Sequence, residues 1–286
     1  MDVARLVEDA LHTKAGTTTE RTGGQLSTVY EVLTTDGPVI VKVYASEWRW
    51  KQAKEVHVYG MLEPVVGGHV PKVLHVGDGV TMLSKLDGVP LSQAQPKDWR
   101  TVYAQLGELL QRIHSIGQPE YGYLTDRILD PLPDNDQYMR RQFAKKLDEF
   151  EELNGNPELH AKIARHVERH QHLFADNKSA VLCHNDFHEG NILVDPTTWQ
   201  VNGFIDVENA IAADPLIDLA KTIQYSARDD AAKLAGLSDG YGAVPQDRID
   251  LYRLYHSLEL WDWFKSIGET THLDSIALDL EKLVGG

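Results

Sequence analysis

The stretch CHNDFHEGNILVD, Cys183 to Asp195, places two histidines, two asparagines, an aspartate and a glutamate between the apolar runs AVL and ILV. Two chemistries fit such a set. Cys183, His184, Asp186 and His188 have the density of a zinc site. Cys183 and His184 are adjacent, however, so on a strand they point to opposite faces, and no second His/Cys pair at ligand spacing occurs in the sequence. The other chemistry uses Asp186 as a proton acceptor and Asn191 as a hard amide-oxygen ligand. His184 is then expected as a hydrogen-bonded core histidine and His188 as a surface residue near the site.

Asn191 follows Asp186 by five positions, the offset between the base and the metal-binding asparagine of a kinase catalytic loop. The chain continues ILVD-PTTW-QVNGFID, two apolar strands around a turn containing Pro196. A hairpin folded about that turn brings Asn191 and Asp206 to one open end, a pair of oxygen donors suited to Mg²⁺. Two further charges lie where apolar residues are expected. Lys42 sits in the strand VIVKV, and Glu55 shares a helical stripe with Trp48, Gln52, Tyr59 and Leu62. A mutual pair would let both survive burial; the alternative is an edge strand whose lysine reaches water. Gly23 and Gly24, followed by Ser27, precede a strand and could let backbone N–H groups approach phosphate, although a plain turn reads the same way.

These residues need elements to hold them. The N-terminal MDVARLVEDALHTK has helical spacing. STVYEVL and PVIVKVY flank TTDG, a hairpin signal, and VPKVLHVGDGVTMLSKL reads as two more strands. Between them SEWRWKQAKEVHVYGMLEP reads as a helix with Ser46 as N-cap and Pro64 as stop. Residues 98–116 form an amphipathic helix ending near Gly117, and the rest is expected to be mainly helical. The pattern predicts an α+β chain with a small β-rich lobe over 1–87, a connector near Ser84–Pro90 and a larger helical lobe over 88–286.

Composition limits the function. With 286 residues, 42% hydrophobic and 25% charged, disordered and repeat classes are excluded. A net charge of −15 argues against nucleic acid as a partner, and it suits a cationic substrate as well as it suits simple solubility. One cysteine allows no internal disulfide and fits a reducing compartment. No apolar run reaches the ~20 residues of a membrane span, so a cytoplasmic location is expected, with no membrane partner. The sequence names no protein partner.

HNDFHEGNILVD followed by GFIDVENAIAADPLIDLA resembles the aminoglycoside phosphotransferase family, small-molecule kinases with a bilobal protein-kinase-like fold. VIVKV, VPKVLHV, TMLSKLDGVPL and GGQLSTVYEV extend the likeness over most of residues 20–225. The resemblance implies Asp186 as catalytic base, Asn191 and Asp206 as Mg²⁺ ligands, and Lys42 at the nucleotide phosphates, oriented by Glu55. It implies the backbone from Ser84 to Leu86 at the purine of ATP, with GTP an alternative, and Asp218 as a buried brace of the catalytic loop. Phe187 and His188 stand where many relatives differ. Asp206 is followed within eight residues by Asp214-Pro215, which leaves no room for the activation segment and APE motif of a protein kinase.

A small hydroxylated acceptor is therefore expected, with the helical lobe binding it. In YRLYHSLELWDWFKSIGE, taken as the final helix, Leu251, Leu254, Leu258 and Trp261 make a core stripe. Tyr255, Glu259, Asp262 and Trp263 share an adjoining face, and Asp229 and Asp230 form a second acidic group. Acid beside aromatic would suit a cationic ligand; a solvated helix face is the alternative. The expected function is ATP- and Mg²⁺-dependent phosphorylation of a cationic antibiotic of aminoglycoside type. A metabolic kinase acting on an amino alcohol or sugar, and a nucleotide-binding protein without catalysis, are the alternatives.

Overall fold

The computed structural model describes residues 1–21 and 27–285. Helix α1 (Val3–Leu11) starts at Asp2, whose side chain accepts from Arg5 N, and ends at left-handed His12. Strands β1 (Ala15–Arg21), β2 (Ser27–Thr34) and β3 (Gly37–Tyr44) precede helix α2 (Arg49–Val66) and strands β4 (Val73–Gly77) and β5 (Val80–Ser84). The five strands make an antiparallel sheet ordered β1-β2-β3-β5-β4. At the β2–β3 turn Gly37 has φ +117°, a conformation open to glycine, and its carbonyl accepts from Thr34 Oγ1. Val32, Val39, Val41, Val80 and Met82 on one sheet face pack with Val3 and Val7 of α1. Alternation along β3 then puts Lys42 on the opposite face.

Ser46 does not cap α2. It lies in a separate 3₁₀ turn, Ser46–Trp48, its hydroxyl turned to Glu47, and the helix proper begins at Arg49. Pro64 is inside the last turn rather than a stop. The helix ends at Val66, two residues after the proline, and a Cβ on the following Gly67 would lie 2.6 Å from Glu63 O.

Strand β6 (Val89–Pro90) is followed by helix α3 (Trp99–Ile113), capped by Asp98. Strands β7 (Gly117–Gln118), β8 (Tyr121–Leu124) and β9 (Ile128–Leu132) lead to helices α4 (Asn135–Glu152) and α5 (Pro157–His170). Then come β10 (Ala180–Cys183), β11 (Ile192–Val194), β12 (Val201–Phe204) and β13 (Ile211–Ala213). Helices α6 (Leu216–Thr222), α7 (Ala231–Tyr241), α8 (Gln246–Ser266) and α9 (Leu273–Gly285) complete the chain. The later part is thus less helical than expected, because β7-β10-β13-β8-β9 form a second sheet of very short strands. Two- to five-residue strands leave too little alternation to read. Nor is α8 the last helix, since α9 follows it.

The chain divides into two compact units. The first comprises Met1–Lys97, Leu124–Arg127 and Glu189–Ala210; the second comprises Asp98–Tyr123, Ile128–His188 and Ile211–Gly286. A cut at residue 87 differs from this division, because the β11–β12 hairpin pairs with β6 and belongs to the first unit. In the second unit α3 and α7 touch backbone to backbone. A Cβ on Gly240 would lie 1.9 Å from Ala104 O, and one on Gly107 would lie 2.6 Å from Leu237 O. Among the described residues no helix is long and apolar enough to cross a membrane.

Candidate active site

In the first unit Lys42 Nζ donates to Glu55 Oε1 at 2.6 Å. Glu55 is fully buried and also accepts from the Tyr44 hydroxyl. Gln52, one turn earlier on α2, donates to Gly77 O and Val80 O and fixes the helix against the β4–β5 hairpin. The edge-strand alternative for Lys42 fails, because β3 is central in its sheet. Burial opposes the Lys42 charge, but Glu55 and then Asp206 outweigh it, so the ammonium is held above its ordinary range. Asp206 Oδ1 lies 4.0 Å from Lys42 Nζ.

Asp206 comes from the β11–β12 hairpin. Ile192 pairs with Phe204, and Ile205 N donates to Asn191 O at 3.0 Å, so Asn191 and Asp206 flank one open end. Asp206 has φ +66°, a left-handed conformation that Asp tolerates better than most residues. Its side chain is 41% exposed. Beside it, burial and then the Asp206 charge raise the Glu208 carboxyl above its usual range. An amide oxygen and a carboxylate, with a second carboxylate in the same field, suit a hard cation such as Mg²⁺. At the expected purine edge Ser84 is engaged with Lys72, donating from its N–H to Lys72 O and accepting from Lys72 N at Oγ. Leu86 follows β5 at the same edge. Ser27 opens β2; Gly23 and Gly24 lie outside the described residues.

The second unit holds Asp186. Its loop leaves β10, turns at Asn185 (φ +58°) and is fixed by Asp218, which accepts from His184 N at 2.7 Å and Asn185 N at 2.6 Å. His114, the C-cap residue of α3, lies 3.1 Å from Asp218 and 2.8 Å from the Tyr241 hydroxyl of α7. Burial works against the Asp218 charge, yet His114 and the loop amides hold its carboxyl below the ordinary range. Phe187 is fully buried, and its carbonyl accepts from Thr222 Oγ1 at 2.7 Å. The residue where this sequence departs from many relatives is therefore an anchor of the loop. His184 is buried and His188 half-buried, with Nε2 3.6 Å from Asp186 Oδ1.

The zinc reading has no support in this geometry. Among the described residues the group close enough to share a metal is His114, Cys183 and Asp218, which lacks His188 and Asp186. Burial pushes the Cys183 thiol well up, and Sγ donates to Asp214 O.

The acidic candidates are placed differently from one another. Asp229 is exposed, while Asp230 caps α7, accepting from Ala232 N and Lys233 N. Glu259 faces Lys221 at 3.1 Å and His256 at 3.1 Å. Asp262 is 3% exposed, with Lys146 Nζ 3.7 Å away, and Trp263 is 43% exposed. The expected open face of Glu259 and Asp262 is thus largely turned inward.

Sequence reasoning missed Tyr44, Glu208 and Lys221. Tyr44 lies two residues from Lys42 on the same strand face, and Lys221 is a charge within the apolar run PLIDLAKTI. The signal that singled out Lys42, a charge in an apolar run, was present for Lys221 but not for Tyr44.

Residues 17–261 match the model of the phosphotransferase enzyme family. The chain belongs to that family. Streptomycin 3''-kinase from Streptomyces griseus is 27% identical over 208 residues, 68% of this chain and 74% of that one. Among solved structures, the aminoglycoside phosphotransferase APH(4)-Ia bound to ADP and hygromycin B superposes with TM-score 0.76 at 14% identity. It covers 100% of this chain and 98% of its own. A proposed fructosamine-3-kinase from Thermobifida fusca gives 0.74 at 20% identity, covering 98% and 99%. The fold is the protein-kinase-like one of this family, and the chain is a small-molecule kinase.

Proposed function

We propose that the protein transfers the γ-phosphoryl group of ATP to a hydroxyl of a small cationic acceptor of aminoglycoside type. The observation that supports this reading is the grouping of kinase-type residues: Lys42 paired to buried Glu55 beside Asp206, and Asp186 on a loop braced by Asp218. That set also argues against a nucleotide-binding protein without catalysis. In the reaction Asp186 takes the acceptor's hydroxyl proton as the acceptor oxygen bonds to the γ-phosphorus. The bond from that phosphorus to the β,γ-bridging oxygen breaks, and ADP leaves with the electron pair. Lys42 neutralises phosphate charge, and Glu55 with Tyr44 aims it. The chain from Ser84 to Leu86 would meet the purine, and Ser27 at the start of β2 would lie toward the phosphates. Asn191 and Asp206 would hold Mg²⁺, which supplies charge neutralisation of the phosphates.

The cationic acceptor is supported by the net charge of −15, by exposed Asp229, and by the streptomycin and hygromycin B named for the relatives. Exposed Asp230 and half-buried Glu259 are the further carboxylates proposed for the acceptor, whereas buried Asp262 is not accessible to it. A second reading, a metabolic kinase acting on a sugar-derived amine, is favoured by the full-length likeness to the proposed fructosamine-3-kinase. ATP consumption should be measured across streptomycin, hygromycin B, a fructosamine and simple amino alcohols, with GTP as alternative donor. Turnover confined to the fructosamine would overturn the antibiotic reading, and no acceptor-dependent turnover would overturn both.

A further inference from the structure

Helix α6 touches the catalytic loop at four consecutive residues. Asp218 accepts from the backbone of His184 and Asn185, and Thr222 donates to Phe187 O. Between them Lys221, 7% exposed, extends Nζ to 3.8 Å from Asp186 Oδ1. Asp218 and Lys221 are three apart and share a helix face. Lys221 is itself held: Nζ donates to Glu259 Oε2 at 3.1 Å and lies 5.2 Å over the Tyr225 ring. Glu259 meets His256 Nδ1 at 3.1 Å, while His256 Nε2 donates to Ile217 O at 2.8 Å. Two carboxylates, Asp186 and Glu259, thus lie against Lys221 inside the second unit, and His256 ties Glu259 back to α6.

We propose that Lys221 is a positioning residue for phosphoryl transfer, holding Asp186 in its working orientation, with Glu259 and His256 holding Lys221. Such a lysine has no reason to be placed at the loop if it serves packing alone, since an apolar side chain would fill the site without the cost of burying charge. The inference rests on Asp186 being the base.

The test compares Lys221→Met, Lys221→Arg, the pair Lys221→Met with Glu259→Gln, and Asp186→Asn. Turnover is read with the acceptor that the panel selects, or as ATP hydrolysis with water as acceptor if it selects none. Lys221→Met should lower kcat by about tenfold to a hundredfold, the cost of a misplaced reacting group, with KM for ATP within about twofold. Lys221→Arg should restore most of the loss. The neutral pair should regain the melting temperature lost by the single variant but not its kcat. Normal kcat in Lys221→Met, or recovery of kcat together with melting temperature in the pair, would overturn the inference. If Asp186→Asn keeps full turnover, the base assignment falls and the inference with it. If Asp186→Asn is inactive while Lys221→Met is normal, only the inference falls.

Discussion

In each unit a buried lysine–glutamate pair lies beside an aspartate proposed for the reaction, and the two pairs are built in opposite senses. In Lys42–Glu55 the carboxylate is the hidden partner, fully enclosed and also bound by Tyr44, while the ammonium faces Asp206. In Lys221–Glu259 the ammonium is the hidden partner, and the carboxylate is the more exposed end. A buried anion serves to present a cation outward, as a phosphate-binding lysine requires. A buried cation serves to fix an anion, as a base requires. The same two residue types therefore do different work according to which one the fold encloses.

The largest expected effect is at the group the second pair serves. Asp186→Ala should lower kcat by about 10²–10⁴, the range for a positioned base. Nucleotide affinity, read by calorimetry with ADP, should stay near the parent value. Near-normal turnover would break the comparison at its centre.

Lys42→Met should weaken nucleotide binding and leave Glu55 without a counter-charge, destabilising the fold by about 3–5 kcal/mol. Lys42→Met with Glu55→Gln should recover stability while nucleotide affinity stays low. Denaturant unfolding of the two variants checks this. Strictly additive losses would mean that the two side chains do not depend on each other.

Asp206→Asn keeps a side chain that accepts the left-handed backbone while removing one charge. The Mg²⁺ concentration for half-maximal activity should rise, by more than for Asn191→Ala, in a metal titration of both variants. An unchanged requirement in both would remove the hairpin end from metal binding.

The smallest effect sharpens the contrast with Asp262, a buried carboxylate whose lysine, Lys146 at 3.7 Å, does not offset the cost of its burial. Burial, opposed by Lys146 and reinforced by Glu149, raises Asp262 from 3.8 to about 7. Between those values the folded chain holds a proton that the unfolded chain has released. Its stabilising share is complete below pH 4 and is lost as the pH rises toward 7. Asp262→Asn should flatten the dependence of melting temperature on pH in that window; an unaltered slope would place the titrating group elsewhere.

How much of this was legible depended on whether a signal was local. The Lys42–Glu55 pair was readable because each charge interrupts an apolar period. Asn191 and Asp206 were readable because a short hairpin fixes both ends from one turn. Lys221 interrupts an apolar run just as plainly, yet its partners lie 35 and 38 residues away, with no period joining them. The inward turn of Glu259 and Asp262 was hidden for a related reason. Spacing on α8 shows that they share a side of the helix, but what packs against that side comes from α4 and α6. The second sheet was unreadable because its strands are too short to show alternation.

The glycine contact between α3 and α7 bears on when the catalytic loop can form. Asp218 reaches its brace on α3 across 104 residues, and Tyr241 reaches the same histidine across 127. Closing loops of that length precedes any local reward, so such contacts form slowly. A nascent chain would have Asp186 and its neighbours synthesised well before the helix that locks His114 in place had emerged. The phosphate-side pair, only 13 residues apart, has no such wait. The protein would therefore acquire the means to hold nucleotide early in its folding and the means to use it late.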